Sequence, residues 1–206
     1  MKVIYMISML LCALMLPVND DSYFPIKKDA GAEGLTEYEA QWYSQSLERM
    51  KEPRLPESAK DVTAEVYRLL ILPTWGNSIA LRIQRKRNTY TLSARRLDGQ
   101  AGYDPGRLLE SRQVELSEAD SKALESLVQA VNLFKMSTDN DTYGSDGDES
   151  VLEGVLNGKY HVVTRWCAIS YRPEERGLTA FVALYRFLVD KSNLSEPPKN
   201  KGHRLI

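Results

Sequence analysis

Hydrophobic and polar residues alternate along four segments between positions 62 and 116, and this two-residue period is typical of β-strands. The segments are 66–72, 78–84, 89–95 and 108–116. Residues that favour turns separate them, with proline and asparagine after the first, asparagine after the second and glycine after the third. We therefore predict an antiparallel meander of four strands with one apolar and one polar face.

A β-hairpin is predicted around Asn157 and Gly158, because this dipeptide favours the two-residue turn that joins antiparallel strands. With that turn, Gly154 lies opposite His161 on the neighbouring strand. Side chains alternate between the two faces of a strand, so His161 and Arg165 share one face. The meander and the hairpin together predict a sheet of about six strands.

Three segments have the period of an α-helix. Thr36 and Glu39 have the spacing of a capping box before a helix that Pro53 ends, and Ser117 is placed to cap a second helix. The third segment, 178–189, is apolar on nearly all sides and predicts a buried helix. The predicted fold class is therefore α+β: an antiparallel sheet of about six strands, a meander plus a hairpin, with helices packed on one face.

The N-terminus has the pattern of a secretory signal. Lys2 is followed by an apolar run over 3–16, which Pro17 and the polar residues after it stop. The run is shorter than the roughly 20 residues that a membrane-spanning helix needs. We therefore expect a signal peptide over 1–19 and a periplasmic or secreted protein. Because no clear cleavage site follows the run, an uncleaved signal that anchors the protein is the alternative.

The rest of the chain divides into three parts by composition. A flexible lead and an N-terminal helix are predicted over 20–60, a single α+β domain over 61–195 and a polar tail over 196–206. Beyond the predicted signal the only cysteine is Cys167, so an internal disulfide is excluded. The domain must therefore be stabilised by its core.

The charge balance disfavours nucleic acid as a partner. The chain has 27 basic and 28 acidic residues, which leaves no basic field to hold a phosphate backbone. Hydrophobic residues make up 43% and charged residues 27% of the chain, close to the averages of globular domains. We expect no membrane span in the mature chain.

One segment resembles a motif of a known family. Residues 146–166 have the pattern D-G-x4-L-E-G-x3-G-x-Y-H-V-V-x-R-W, which resembles a motif in a family of uncharacterised exported bacterial proteins. Further similar segments bring the resemblance to 62–194; they are 67–69, 98–106 and 177–178. The chain departs from the pattern at Val151, where the family has an aromatic residue, and at Cys167 and Ala168, where it has Ser-Pro. The resemblance implies export and no known activity, and the second departure argues against a family role for the Cys167 thiol.

The predicted hairpin contains the best candidate residues for chemistry. Glu153 and His161 are the candidate acid/base pair, but the regular register places Glu153 opposite Val162 and turns it away from His161. Only a bulge at Gly154 would bring the two side chains to one face. His161 and Arg165 are also candidates for a polar recognition surface, and Trp166 is expected to pack into the core on the other face.

Two charged segments suggest other sites. Basic residues crowd the turn between the second and third strands, with Arg82 and Arg95 the candidate binding residues; the others are Arg85, Lys86, Arg87 and Arg96. Such a patch either meets an acidic partner or keeps the turn soluble. The acidic loop 138–150 matches a calcium loop at Asp139 and Asp141, but Ser150 stands where a bidentate glutamate is needed. We predict no metal site and no cofactor.

These observations favour a non-catalytic exported protein of the bacterial envelope that binds another protein, as an inhibitor or immunity protein does. The sequence contains no nucleophile-elbow motif, cofactor motif or complete metal-ligand pattern. The alternative is a small envelope hydrolase that uses Glu153 and His161.

Overall fold

A six-stranded antiparallel sheet forms the centre of the computed structural model, which describes residues 22–29 and 34–195. The strands are β1 (Glu65–Pro73), β2 (Ile79–Lys86), β3 (Thr89–Leu97), β4 (Leu108–Glu115), β5 (Asp148–Leu156) and β6 (Lys159–Trp166). Their order across the sheet is β4-β3-β2-β1-β5-β6. The predicted α+β class and antiparallel sheet are confirmed. The predicted signal over 1–19 and tail over 196–206 lie outside the described residues.

The turn between β5 and β6 has the predicted form. Asn157 and Gly158 have φ angles of 52° and 72°, and two consecutive positive φ values are the mark of a type I′ turn. The register is also as predicted, with Gly154 opposite His161 and Glu153 opposite Val162. No bulge interrupts this pairing.

The hairpin of β5 and β6 joins the meander at its first strand. The chain leaves β4, passes through helix α3 (Glu118–Val131), and returns so that β5 pairs with β1. β1 is therefore bonded to β2 on one side and to β5 on the other. Ser117 caps α3 as predicted, by accepting a hydrogen bond from the amide of Asp120.

One face of the sheet packs against α3 and the C-terminal helix α4 (Thr179–Lys191). The sheet contributes Leu69, Ile83, Leu92 and Val163 among others to this core, which we call the α3/α4 face. α4 is not buried all round as predicted, because Val189 is 42% exposed and only one side of the helix contacts the sheet. Among the described residues, no helix combines the length and apolar content needed to cross a bilayer.

The opposite face is also covered by helices, and here the prediction that helices pack on one face only is wrong. Helix α1 (Glu37–Met50) lies against Leu70 and Leu72 of β1, and the short helix α2 (Leu55–Ser58) lies beside it; we call this side the α1 face. β1 is buried over seven consecutive residues. A strand that is buried on both faces reads as a continuous apolar run rather than an alternating one.

The segment before β1 is part of the same packed unit. The capping box of Thr36 and Glu39 forms as predicted at the start of α1. Leu47 and Met50 are buried against the sheet, and Phe24 from the predicted flexible lead joins the same core. Tyr38, in the first turn of α1, is 74% exposed.

Candidate functional site

A cluster of polar side chains lies between the C-terminal end of α1 and the sheet, with three of its charged groups buried and two partly exposed. We call it the Arg68 cluster, and its members are Glu52, Arg68, Arg82, Arg95, Glu153 and Tyr160. Arg68 and Glu153 are both 0% exposed. Since a buried charge is costly unless it is paired, each contact in this cluster bears on stability.

The centre of the cluster is an ion pair between adjacent strands. Arg68 on β1 donates from Nε to Glu153 Oε1 at 2.8 Å, and its Nη2 lies 2.6 Å from the same oxygen. Tyr160 donates its hydroxyl hydrogen to Glu153 Oε2 at 2.9 Å. Burial raises the pKa of the Glu153 carboxyl, while the Arg68 guanidinium opposes that rise. Every oxygen of this carboxylate therefore has a protein partner.

Glu52, which follows the end of α1, connects the cluster to the helix. Its carboxylate accepts a hydrogen bond from Arg82 Nε at 2.8 Å and lies 3.2 Å from Arg95 Nη1. Arg95 Nη1 also donates to the carbonyl oxygens of Met50 and Lys51, at 2.6 and 2.7 Å. A guanidinium at this position satisfies carbonyl groups that the helix leaves unpaired. The Arg68 cluster therefore fastens the C-terminus of α1 to the sheet.

Three of the predicted binding residues, Glu153, Arg82 and Arg95, meet in this one cluster. The predicted basic patch does not form around them, because Arg82 and Arg95 both pair with Glu52 and their side chains are only 14% and 25% exposed. Arg96 points to the other face, where it pairs with Glu110 at 2.7 Å. These arginine side chains therefore stabilise the fold through ion pairs within the protein.

The other two predicted residues, His161 and Arg165, lie on the α3/α4 face and hold the segment 136–140 against β6. Arg165 is only 5% exposed, so the prediction of an exposed recognition face is wrong for this residue. Its Nη2 donates to the Ser137 carbonyl and its Nη1 to the Asp139 carbonyl, both at 3.0 Å. His161 Nε2 lies 2.8 Å from the Met136 carbonyl oxygen, which can only accept.

Glu153 and His161 do not form an acid/base pair. They project from opposite faces of the sheet, in the register that places Gly154 opposite His161. Gly154 serves packing instead of a bulge, since a Cβ there would lie 2.7 Å from the Tyr67 ring and 2.8 Å from Leu133 Cδ2. The two side chains cannot act on one substrate atom.

Trp166 also differs from the prediction. It is half-buried, lies outside the core clusters of described residues, and has its ring centroid 5.5 Å from that of Tyr171. A Cβ at Gly144 would lie 2.0 Å from the indole, so the acidic loop packs directly on this ring. Trp166 thus supports the loop, while Val162 fills the core.

Two of the five acids in the loop 138–150 pair with basic side chains. Asp139 pairs with Lys27, and Asp141 receives a bidentate contact from Arg176 at 2.6 and 2.7 Å. In the part of the chain that the structure describes, no three acidic, histidine or cysteine side chains are grouped as metal ligands.

Glu149, at the start of β5, is a buried carboxyl with a shifted pKa. Asn140 Nδ2 donates to its Oε1 at 2.9 Å, and the residue is 7% exposed. Burial raises the pKa of Glu149 to about 7, and the hydrogen bond from Asn140 only partly opposes this rise.

We expect the stability of the protein to fall as the pH rises from about 4.5 to above 7, because the folded state holds the Glu149 proton more tightly than the unfolded state. The fall should be about 3 kcal/mol, and Glu149→Gln should remove it. Urea unfolding at intervals between pH 5 and pH 8 measures the effect. Glu118→Gln, at an exposed carboxyl, is the control. Identical pH profiles for Glu149→Gln and wild type would refute the assignment.

A surface of aromatic side chains lies on α1 and on two turns, with Trp42 half-buried against the core of the α1 face and the other three rings exposed. We call it the aromatic surface; its members are Tyr38, Trp42, Trp75 and Tyr103. Trp75 and Tyr103 are 53% and 60% exposed, and their ring centroids are 5.0 Å apart. Trp42 donates its indole N–H to the Ala101 carbonyl at 2.8 Å, which links α1 to the loop that carries Tyr103.

The loop 98–106 holds this surface in a fixed geometry. The amides of Ala101 and Gly102 donate to the carbonyls of Gly76 and Thr74, on the turn that carries Trp75. Within the loop, the Gly99 amide donates to the Pro105 carbonyl. A Cβ at Gly99 would lie 2.1 Å from the Asp104 carbonyl oxygen, so the chain approaches itself too closely for any other residue. The backbone of both turns is thus tied together beneath the exposed rings.

Sequence reasoning did not select the aromatic surface. Trp75 lies in the turn between β1 and β2, and Tyr103 lies in the glycine-rich segment after β3. A large aromatic residue in a turn lies on no strand or helix face that could bury it. The position of these two residues in turns is therefore the sequence signal that could have indicated their exposure. Their mutual contact could not be inferred, because it depends on hydrogen bonds between two separate turns.

No protein-family model matches the chain, and no curated protein matches it significantly. The resemblance of residues 146–166 to exported bacterial proteins therefore stays a prediction.

Proposed function

We propose that this chain is an exported bacterial envelope protein that acts without catalysis, by binding another protein through the aromatic surface. The observation that carries the proposal is the pair of Trp75 and Tyr103, exposed side by side on two turns that backbone hydrogen bonds join. The apolar N-terminal run and the family resemblance support export.

The composition of the aromatic surface supports a protein partner. Tryptophan, tyrosine and arginine are the residues most enriched among those that dominate protein–protein binding energy. Such residues bind best when they are rigid, because little conformational entropy is then lost on association. Trp75 and Tyr103 meet both conditions, and Arg49 of α1 lines the cleft beside Tyr103.

The placement of the polar residues supports a function without catalysis. Glu153 and Arg68 neutralise one another inside the protein, and His161 is bonded to a backbone carbonyl on the opposite face. The two candidate acid/base groups therefore have structural partners and no common approach for a substrate.

The double variant Trp75→Ser/Tyr103→Ser should lose capture of the partner while remaining folded. Because both side chains are more than half exposed, the free energy of unfolding should change by less than about 1 kcal/mol. The measurement is affinity capture from envelope extract, identification of the captured protein, and titration of the purified partner against wild type and variant. We expect the affinity for that partner to fall at least about 100-fold.

Val189→Ser is the matched control, since Val189 is an apolar residue that is 42% exposed but lies on α4, on the opposite face of the sheet from α1. It should bind the partner as wild type does. Equal binding by the double variant and wild type would exclude the aromatic surface as the interface. Turnover of ester, glycoside or peptide substrates that is lost in His161→Ala would exclude a function without catalysis.

A further inference from the structure

α1 and the loop 98–106, the two segments that carry three of the four rings, contain more acidic than basic side chains. α1 and the loop 98–106 together carry five carboxylates and one guanidinium; these are Glu37, Glu39, Glu48, Asp98, Asp104 and Arg49. The exposed rings carry no formal charge, so the electrostatic potential around them is set by these groups. A partner that buries the rings must also face this negative field.

A cleft opens beside Tyr103 between α1 and the loop. It has a volume of about 280 Å³, and its lining residues are Gln45, Glu48, Arg49, Tyr103, Asp104 and Pro105. Pockets for whole small molecules span roughly 300–1,000 Å³, so this cleft suits a single side chain of a larger partner. Glu48 lies on the helix side and Asp104 on the loop side, so a group in the cleft lies between two carboxylates.

The combination of rings and carboxylates selects a cation. An ammonium or guanidinium group gains from the face of an aromatic ring and forms stronger hydrogen bonds with carboxylates than a neutral group does. Arg49 also lines the cleft and offsets one of its two negative charges. The net charge of the lining therefore stays negative, and an anionic partner is disfavoured.

We infer that the partner presents a basic segment to the aromatic surface, with a lysine or arginine side chain in the cleft between Glu48 and Asp104. This inference rests on the proposed function and adds the charge of the partner to it. The aromatic rings supply the apolar contact area, and the carboxylates fix which segment can bind.

The test uses the full chain and a fluorescently labelled decalysine peptide at an ionic strength of roughly 0.1 M, where the screening length is about 10 Å. We expect Glu48→Lys and Tyr103→Ser each to weaken decalysine binding about tenfold, because each removes one of the two groups that a cation contacts. Glu118→Lys on α3 is the control, since it changes the net charge of the protein equally at a site with a side chain 84% exposed. It should leave the affinity within about twofold of wild type, since a distant surface charge is screened.

Three results would overturn the inference. Equal weakening by Glu48→Lys and Glu118→Lys would mean that decalysine responds only to net charge. Binding of maltohexaose that Tyr103→Ser abolishes, without site-dependent decalysine binding, would assign the surface to a neutral glycan. If the captured partner is lost in Trp75→Ser/Tyr103→Ser but retained in Glu48→Lys, the proposed function stands and the basic segment is wrong.

Discussion

Glu153→Ala is expected to destabilise the protein by about 3 to 5 kcal/mol, because it leaves the Arg68 guanidinium buried without its main counter-charge. Arg68 would keep the Pro53 carbonyl at 2.7 Å and the more distant Glu52 carboxylate at 3.4 Å. The Tyr160 hydroxyl would also lose its acceptor. Since small domains have only about 5 to 15 kcal/mol of total stability, a large part of it should disappear in urea unfolding.

Two further variants provide the comparison. One replaces both buried charges with apolar side chains, and the other removes an exposed carboxylate. Arg68→Met/Glu153→Leu should recover much of the loss, because it removes both buried charges together and fills the space with apolar groups. Glu118→Ala, at the exposed pair with Lys122, should change the stability by less than about 0.5 kcal/mol. A loss below about 1 kcal/mol in Glu153→Ala would show that water reaches Arg68 and that the cluster is not sealed.

Arg165→Met is expected to cost about 3 to 5 kcal/mol, since it leaves the carbonyls of Ser137 and Asp139 without their donor. The loss should also release the segment 136–140 from β6. The amide of Thr164 donates to the Thr138 carbonyl at 2.9 Å, so its hydrogen exchange should accelerate in the variant. Urea unfolding and amide exchange together measure the two effects.

Arg172→Met provides the comparison, because the Arg172 side chain is 63% exposed and its pair with Glu175 lies in solvent. Its cost should stay under about 0.5 kcal/mol. An unchanged exchange rate at Thr164 in Arg165→Met, even with lower stability, would mean that the segment is held to β6 by its backbone contacts alone. That result would remove Arg165 as the residue that positions it.

The local elements of this fold could be predicted because their signals are local. The capping residues Thr36 and Ser117 and the turn at Asn157 and Gly158 each act on groups within a few positions, and all form as expected. The ends of the four predicted meander strands differ from those observed by at most two residues. These features required no knowledge of tertiary contacts.

The covering of the second face could not be predicted, because its signal is ambiguous. Arg82 and Arg95 alternate with apolar residues along their strands, which is also the pattern of a solvent-exposed face. Their burial depends on Glu52, which is 30 residues before Arg82 in the chain. An arginine with a distant counter-charge and an arginine in water look the same in sequence.

The candidate site was missed for a similar reason. The chemical type of the hairpin residues suggests a site, but Glu153 and Arg165 are buried and hydrogen-bonded to other groups of the protein. The exposed rings of Trp75 and Tyr103 lie in turns, where hydrophobic periodicity gives no information. The hairpin residues and the two aromatic residues differ in exposure more than in residue type. Exposure depends on the tertiary structure.

The position of β1 in the strand order has a consequence for folding kinetics. Its pairing with β2 closes a short turn, whereas its pairing with β5 brings together Arg68 and Glu153, which are 85 residues apart in the chain. Closing a longer loop costs more chain entropy, and proteins rich in such distant contacts fold more slowly. Until the last third of the chain is available, β1 is therefore an edge strand that pairs with β2 alone. Its pairing with β5 then forms against the entropic cost of closing the long loop.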